Sequence, residues 1–224
     1  MKNSVTAHLI LKDLRVNRLQ IALTVGMGML ALLILQRGGE VPTVLGAVWF
    51  FVAMVVLATM LPASAVINER KKQNLAFLMS LPVSFVQYTR AKLVAVLAMF
   101  LAPWLTLLAS GFILIETRHV LPHGVIPMFV ILALLPLAGF SFIFGTALVT
   151  ESEGGVIAAS IVCNSSYGVL WYLLARIKSV TVHWGGPVAV WDAANLRIIS
   201  AELGAIVLFM GVALLLQSRK RSFV

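Results

Sequence analysis

Six apolar runs of about 20 residues each dominate this sequence, separated by shorter polar stretches. A run of that length crosses the hydrocarbon core of a bilayer as one α-helix, which makes all of its backbone hydrogen bonds internally. The chain is 61% hydrophobic and 11% charged, whereas a soluble domain is about half apolar and about a quarter charged. The sequence therefore predicts an all-α integral membrane protein that forms a single transmembrane domain over residues 1–224, with spans at 19–36, 43–67, 91–115, 125–150, 155–175 and 198–217.

The basic residues indicate how these spans cross the membrane. An even number of spans puts both termini on one side, and Lys and Arg collect in cytoplasmic segments. With the N-terminus inside, twelve of the 17 basic residues fall inside and five fall outside. The acidic loop at 150–155 also falls inside, but acids contribute little to orientation. We therefore predict a multi-pass protein of the plasma (inner) membrane with cytoplasmic N- and C-termini, and we assign the net charge of +9 to topology rather than to nucleic-acid binding.

The first 18 residues combine apolar side chains with Lys12, Arg15 and Arg18. This pattern is typical of an amphipathic helix in the membrane interface, and we predict such an elbow helix over residues 1–18. The alternative is that the segment extends the first span into the cytoplasm. The single Cys163 excludes an internal disulfide, and no Cys/His cluster has the spacing of metal ligands, so no metal site is predicted.

The longest polar interruption, INERKKQNLAFLMSLPVSFVQYTRAKL, lies between spans two and three on the predicted cytoplasmic side. Leu75, Leu78 and Met79 share one face of a short predicted helix. Pro82 ends that helix, and a Ser-x-x-Gln capping box at Ser84 predicts a second helix that leads into span three. The residue pattern of this segment is compatible with two structures. One is a solvated loop with interfacial helices, and the other is a docking surface for a cytoplasmic partner.

Part of this stretch resembles the permease subunits of type-2 ATP-binding cassette (ABC) exporters. The resemblance consists of Glu69, the run LAFLMSLPVS at 75–84, and Lys92 at the start of span three. The family often has Gly-Thr where this chain has Gln-Asn at 73–74. The six-span layout and the amphipathic leader are also similar to that family.

The resemblance implies a cytoplasmic coupling region at 68–90, with a coupling helix at 74–81 that sits in a groove of a separate ABC ATPase subunit. It implies export, with this chain forming half of the translocation pathway beside a second permease chain, in a homodimer or a heterodimer. The implied coupling residues are Glu69, Arg70, Lys71, Gln73, Asn74, Leu75, Phe77, Leu78, Met79 and Pro82.

The chain has no phosphate-binding loop of the form G-x-x-x-x-G-K-[ST]. We therefore predict that it is not an enzyme and binds no cofactor itself, and that ATP and Mg are bound by the partner ATPase. The alternative function is a secondary transporter or channel subunit without an ATPase. The coupling region distinguishes the two, since a secondary transporter does not need it.

A few polar residues fall inside the predicted spans. Asn164, Ser165 and Ser166 in span five either line a substrate path or make helix–helix hydrogen bonds, and we favour the second. Glu202 in span six is a candidate functional residue because ionisable groups within spans are rare. We favour a position at the outer interface near Arg197. The outer loop at 176–197 is predicted to be a re-entrant segment, with PVAVWDAAN as a short helix by resemblance, and it either gates the pathway or caps it.

Overall fold

The computed structural model describes residues 2–71, 85–118 and 120–219, and side chains within 11–64, 93–118 and 120–217. The described residues form helices and contain no strand. Six of the helices are long and apolar enough to cross a membrane, which confirms the predicted all-helical architecture and number of spans. The elements are α1 (Lys2–Leu35), α2 (Glu40–Lys71), α3 (Phe85–Arg118), a 3₁₀ turn (His123–Val125), α4 (Ile126–Thr150), α5 (Glu153–Arg176), α6 (Lys178–Thr181) and α7 (Ala193–Arg219).

The helix ends have local causes. Gly38 and Gly39 adopt positive φ angles of 65° and 84°, which lets the chain reverse between α1 and α2. Glu151 is left-handed at the end of α4. Ser152 then caps α5 by accepting a hydrogen bond from the backbone of Gly155 at 3.0 Å. The acidic loop at 150–155 is therefore a tight helix–helix turn.

Helix α4 is the centre of the bundle. It packs against α2, α5 and α7, while α1 packs against α2 and α3. Stacked rings of Phe100 and Phe140, with centroids 4.0 Å apart, join α3 to α4. At Gly46, α2 lies directly on the backbone of α1, next to Ala31 and Leu35. The large apolar residues between these helices form one continuous core.

Three helices are longer than the others. Helices α1, α2 and α3 contain 34, 32 and 34 residues, whereas α4, α5 and α7 contain 25, 24 and 27. At 1.5 Å per residue these groups average about 50 Å and about 38 Å. Charged residues cluster in the end segments 2–18, 65–71 and 85–92 of these three helices, which we call their polar extensions. We call the side where α1 begins, α2 ends and α3 begins the N-terminal side, and the opposite side the distal side.

The predicted elbow helix over residues 1–18 is not confirmed. Helix α1 runs without a break from Lys2 to Leu35, so its first turns continue directly into the first span. The physical reason is that neither Gly nor Pro occurs before Gly26, and the segment has no residue that would end a helix.

The coupling region is described only at its edges. Glu69, Arg70 and Lys71 end α2, and their side chains are not described. Helix α3 is described from Phe85 onward, and Ser84 of the predicted capping box lies outside the described residues. The remaining predicted coupling residues lie outside the described residues: Gln73, Asn74, Leu75, Phe77, Leu78, Met79 and Pro82.

The distal loop differs from the short helix predicted at PVAVWDAAN. The chain forms its one-turn helix earlier, at Lys178–Thr181, and residues 187–192 are not helical. The backbone N–H of Gly124 donates to the carbonyl of Gly186 at 3.0 Å, which ties this loop to the connection between α3 and α4. Within the predicted helix, Asp192 instead caps α7, because its Oδ1 accepts a hydrogen bond from the backbone N–H of Asn195 at 2.8 Å.

Candidate functional site

The backbone hydrogen-bonding pattern of α4 is interrupted near the middle of the helix. Pro136 is the eleventh of its 25 residues and has no backbone N–H, so the carbonyl of Leu132 loses its usual partner. On the α3 side, the Nε1 of Trp104 donates to the carbonyl of Ala133 at 3.0 Å. Helix α3 thus supplies a hydrogen bond to α4 next to this interruption, near the middle of α4.

Helix α5 covers the same part of α4 with a tyrosine. The hydroxyl of Tyr167 lies against the Cα of Gly139, where any side chain would collide with it. Cys163 lies beside it, with its Sγ 3.9 Å from the carbonyl of Gly139. Tyr167 is 7% exposed, and its hydroxyl has no hydrogen-bond partner among the described residues. A buried hydroxyl without a partner is costly, and the site is therefore suited to a polar ligand group.

Glu202 approaches α4 from α7. It is 9% exposed, and its Oε2 has no hydrogen-bond partner within the described part of the chain. It is also the one acidic or basic residue among the buried residues described. A charged side chain deep in a bilayer costs at least about 2.5–3.5 kcal/mol, so this position strongly favours a neutral carboxyl or a bound positive charge.

Glu202 lies in a helix that is longer than the predicted span. Helix α7 begins at Ala193, five residues before the predicted span, because Oδ1 of Asp192 accepts a hydrogen bond from the backbone of Asn195 at 2.8 Å. In the candidate span Ala193–Gln217, Glu202 is the tenth of 25 residues. A position at the outer interface near Arg197 stays a prediction.

The register between α4 and α7 places Glu202 beside this interruption of α4. Phe142 contacts Phe209 with ring centroids 5.1 Å apart. A Cβ on Gly145 would lie 3.2 Å from that of Ala213. The two contacts give sequence offsets of 67 (209 − 142) and 68 (213 − 145). A Cβ on Gly145 would also lie 3.3 Å from the carbonyl oxygen of Phe209, an offset of 64 (209 − 145), so these contacts put Glu202 level with residues 134–138 of α4.

The three polar residues predicted in span five do not join Glu202. Helix α5 packs through Val156, Ala159, Cys163 and Tyr167, and Asn164 and Ser165 lie on its exposed face. Ser166 is partly buried and donates to the carbonyl of Val162, within its own helix, at 2.7 Å. The described structure therefore contains no interhelical hydrogen bond from these three residues, in contrast to the interpretation that we favoured.

Asn164 stands near the middle of an exposed span. It is the twelfth of the 24 residues of α5, so its amide points out of the bundle close to the membrane centre. Lipid chains offer an amide no hydrogen bonds. This face of α5 therefore suits contact with another protein chain better than contact with lipid.

A second polar cluster lies near the N-terminal side and was not predicted. Asn17 of α1 is 4% exposed, accepts a hydrogen bond from the hydroxyl of Ser64 at 2.8 Å, and donates to the carbonyl of Asp13 at 2.9 Å. Its amide also lies 3.8 Å from the sulfur of Met99. This Asn17 cluster joins α1, α2 and α3 just below the extensions that flank the coupling region. Asn17 lies two residues before the predicted first span, between Arg15 and Arg18, so nothing in the sequence distinguished it from the other polar residues of that segment.

We expect Asn17 and Ser64 to be energetically coupled. In a double-mutant cycle with Asn17→Leu and Ser64→Ala, the coupling energy should be about 0.6–1.7 kcal/mol, the range for hydrogen bonds between membrane helices. The free energy of unfolding in detergent is the measurement. Ser160→Ala is the matched control, because the Ser160 hydroxyl bonds within its own helix. Additive effects of Asn17→Leu and Ser64→Ala would contradict the cluster.

Side-chain contacts join the loops on the distal side to the helices. His123 and Glu116 lie 3.4 Å apart at the end of α3. Trp184 from the loop after α6 packs against the core. The described part contains no group of three or more His, Cys, Asp or Glu residues that could hold a metal ion.

These features define the class of protein: its described part is helical, with six helices long and apolar enough to span a membrane and with buried polar side chains among them. Comparison of the chain with protein-family models, curated proteins and solved structures gives no match.

Proposed function

We propose that this chain is the permease subunit of an ABC exporter in the plasma membrane, with both termini in the cytoplasm. In this proposal it forms half of a translocation pathway and is not itself an enzyme. A separate cytoplasmic ATPase binds ATP and Mg and drives the pathway through the coupling helix at 74–81.

The observation that carries this proposal is the set of three extended helices on the N-terminal side. Helices α2 and α3 end in charged turns, with Glu69–Lys71 in α2 and Arg90 and Lys92 in α3, and these turns flank residues 72–84, where the motif similar to the exporter family lies. The Asn17 cluster joins both of them to α1. A force applied to the segment between α2 and α3 would therefore reach three spans at once.

A second permease chain is part of the proposal. The exposed Asn164 and Ser165 near the centre of α5 support a protein partner on that face. The partner is either an identical chain or a different permease.

The first test is purification of the chain from its native cell in mild detergent, followed by identification of co-purifying proteins. We expect a stoichiometric partner that has a phosphate-binding loop and hydrolyses ATP. A second membrane chain of different sequence would indicate a heterodimer. Recovery of the chain with no ATPase, under several detergents, would overturn the proposal.

The alternative is a secondary transporter or channel subunit. One observation favours it: the carboxyl of Glu202 is buried within the sixth candidate span, and such proteins place coupling residues inside their spans. Substrate transport by the purified chain in vesicles without ATP would support this alternative.

A further inference from the structure

The N-terminal part of α1 carries two exposed arginines, Arg15 and Arg18. They are three residues apart, so they are separated by about 4.5 Å along the helix axis and by about 60° around it. Neither guanidinium makes a hydrogen bond or an ion pair with a described residue. The acid of this segment, Asp13, lies 3.9 Å from Lys12 instead. Two neighbouring guanidinium groups are therefore available on this part of the helix.

Both arginines lie on the side of α1 that faces away from the bundle. Asn17 marks the opposite side, because its buried amide contacts α2 and α3. At about 100° per residue, Arg15 lies about 160° and Arg18 about 100° around the helix from Asn17. The next apolar residues on the outer side, Leu19 and Leu23, are 68% and 65% exposed. The arginines thus continue an exposed apolar face of α1 toward the N-terminal side.

The apolar run that follows places these arginines at a membrane boundary. Residues 19–35 contain no charged side chain, and as a helix they span about 25 Å, close to the ~30 Å thickness of a hydrocarbon core. A guanidinium is costly inside that core, and long basic side chains near helix ends extend to the headgroup region. The side chains of Arg15 and Arg18 are therefore within reach of the lipid phosphates on the N-terminal side.

We propose that Arg15 and Arg18 bind the phosphate of an anionic phospholipid whose acyl chains lie along Leu19 and Leu23. A guanidinium donates two parallel hydrogen bonds to phosphate oxygens, and two guanidinium groups in adjacent turns can share one phosphate. The lipid is anionic because the choline of a zwitterionic headgroup would add a positive charge beside the two arginines. This site depends neither on the coupling region nor on the partner ATPase.

The test is native mass spectrometry of the purified chain, with its co-purifying partners, titrated in detergent with dioleoyl phosphatidylglycerol or dioleoyl phosphatidylcholine. We expect a lower Kd for the first bound phosphatidylglycerol than for the first bound phosphatidylcholine. Arg15→Gln and Arg18→Gln should each weaken the Kd for phosphatidylglycerol about fivefold, and both together about twentyfold. The Kd for phosphatidylcholine should change much less.

Arg37→Gln is the matched control, because Arg37 is an exposed arginine just beyond the other end of α1. It should bind phosphatidylglycerol as wild type does. Arg15→Lys combined with Arg18→Lys keeps both charges but loses the planar donor pair, so its Kd should be intermediate. If the double glutamine variant fails to fold, the two single variants decide the test.

Three results would overturn the inference. In the first, phosphatidylglycerol binds wild type no more tightly than phosphatidylcholine does, or the glutamine variants bind it as wild type does. In the second, glycerol 3-phosphate displaces the lipid at equal concentration, which would indicate a site for a soluble phosphate. In the third, the glutamine variants lose a co-purifying protein while lipid binding is unchanged, which would assign this face to a protein partner.

Discussion

Replacing Gly46 with leucine is expected to prevent normal packing of α1 on α2. A Cβ at this position would lie 2.8 Å from the carbonyl oxygen of Ala31, and 2.8 Å from both the Cβ and the backbone nitrogen of Leu35. Two of these atoms are backbone, so the neighbouring helix cannot yield by changing a rotamer. Even Gly46→Ala should lower the free energy of unfolding by about 1–3 kcal/mol, as overpacking does elsewhere. Gly46→Leu should abolish recovery of folded protein.

The control for Gly46 is Gly26 in α1. It is exposed, and a Cβ there would meet nothing within 4 Å. Gly26→Ala and Gly26→Leu report the change in helix propensity alone, which is favourable by up to about 1 kcal/mol. Thermal unfolding in detergent, followed by circular dichroism, measures the difference. Equal melting temperatures for Gly26→Ala and Gly46→Ala would show that the two helices do not pack as described.

Replacing Leu78 with aspartate should release the partner ATPase from the complex. In the proposed coupling helix, Leu78 belongs to the apolar face with Leu75 and Met79, and a charge at a buried interface centre commonly costs several kcal/mol. We expect loss of co-purified ATPase and loss of ATP-dependent transport, with normal amounts of the permease in the membrane. Reversing the charges at Arg70–Lys72 should uncouple hydrolysis from transport.

Val83→Asp is the matched control for Leu78→Asp. It adds the same charge to the same segment, but it lies beyond Pro82 and outside the predicted coupling helix. Its ATPase recovery should resemble that of wild type. If Leu78→Asp retains both the ATPase and coupled transport, the assignment of the coupling helix is wrong, whatever the effect of Val83→Asp.

Hydropathy alone was sufficient to locate the six spans. The reason is that a bilayer imposes both a length and an apolar composition on each crossing helix, and both can be read locally. Local chemistry also predicted a helix after the Ser-x-x-Gln pattern at Ser84, and the chain is helical from Phe85, its first described residue there. These features depend on neighbours in sequence, and no tertiary contact was needed to infer them.

The start of α7 shows where hydropathy failed. The apolar run begins near residue 198, but the helix begins at Ala193, because Asp192 supplies a cap for a polar first turn. The shift of five residues makes Glu202 the tenth residue of its candidate span, whereas it is the fifth residue of the predicted one. A capping hydrogen bond thus decided where the helix that carries this buried carboxyl begins.

By itself, the sequence determined the helical class, the number of spans and the polar segment between the second and third spans, because each follows from local composition. Only the tertiary structure decided which polar groups meet. Asn17 and Ser64 are 47 residues apart and share a hydrogen bond, whereas Asn164, although near the membrane centre, faces away from the bundle. Periodicity identifies the faces of a helix, but contacts among distant helices determine which face is covered, and those contacts depend on the whole bundle.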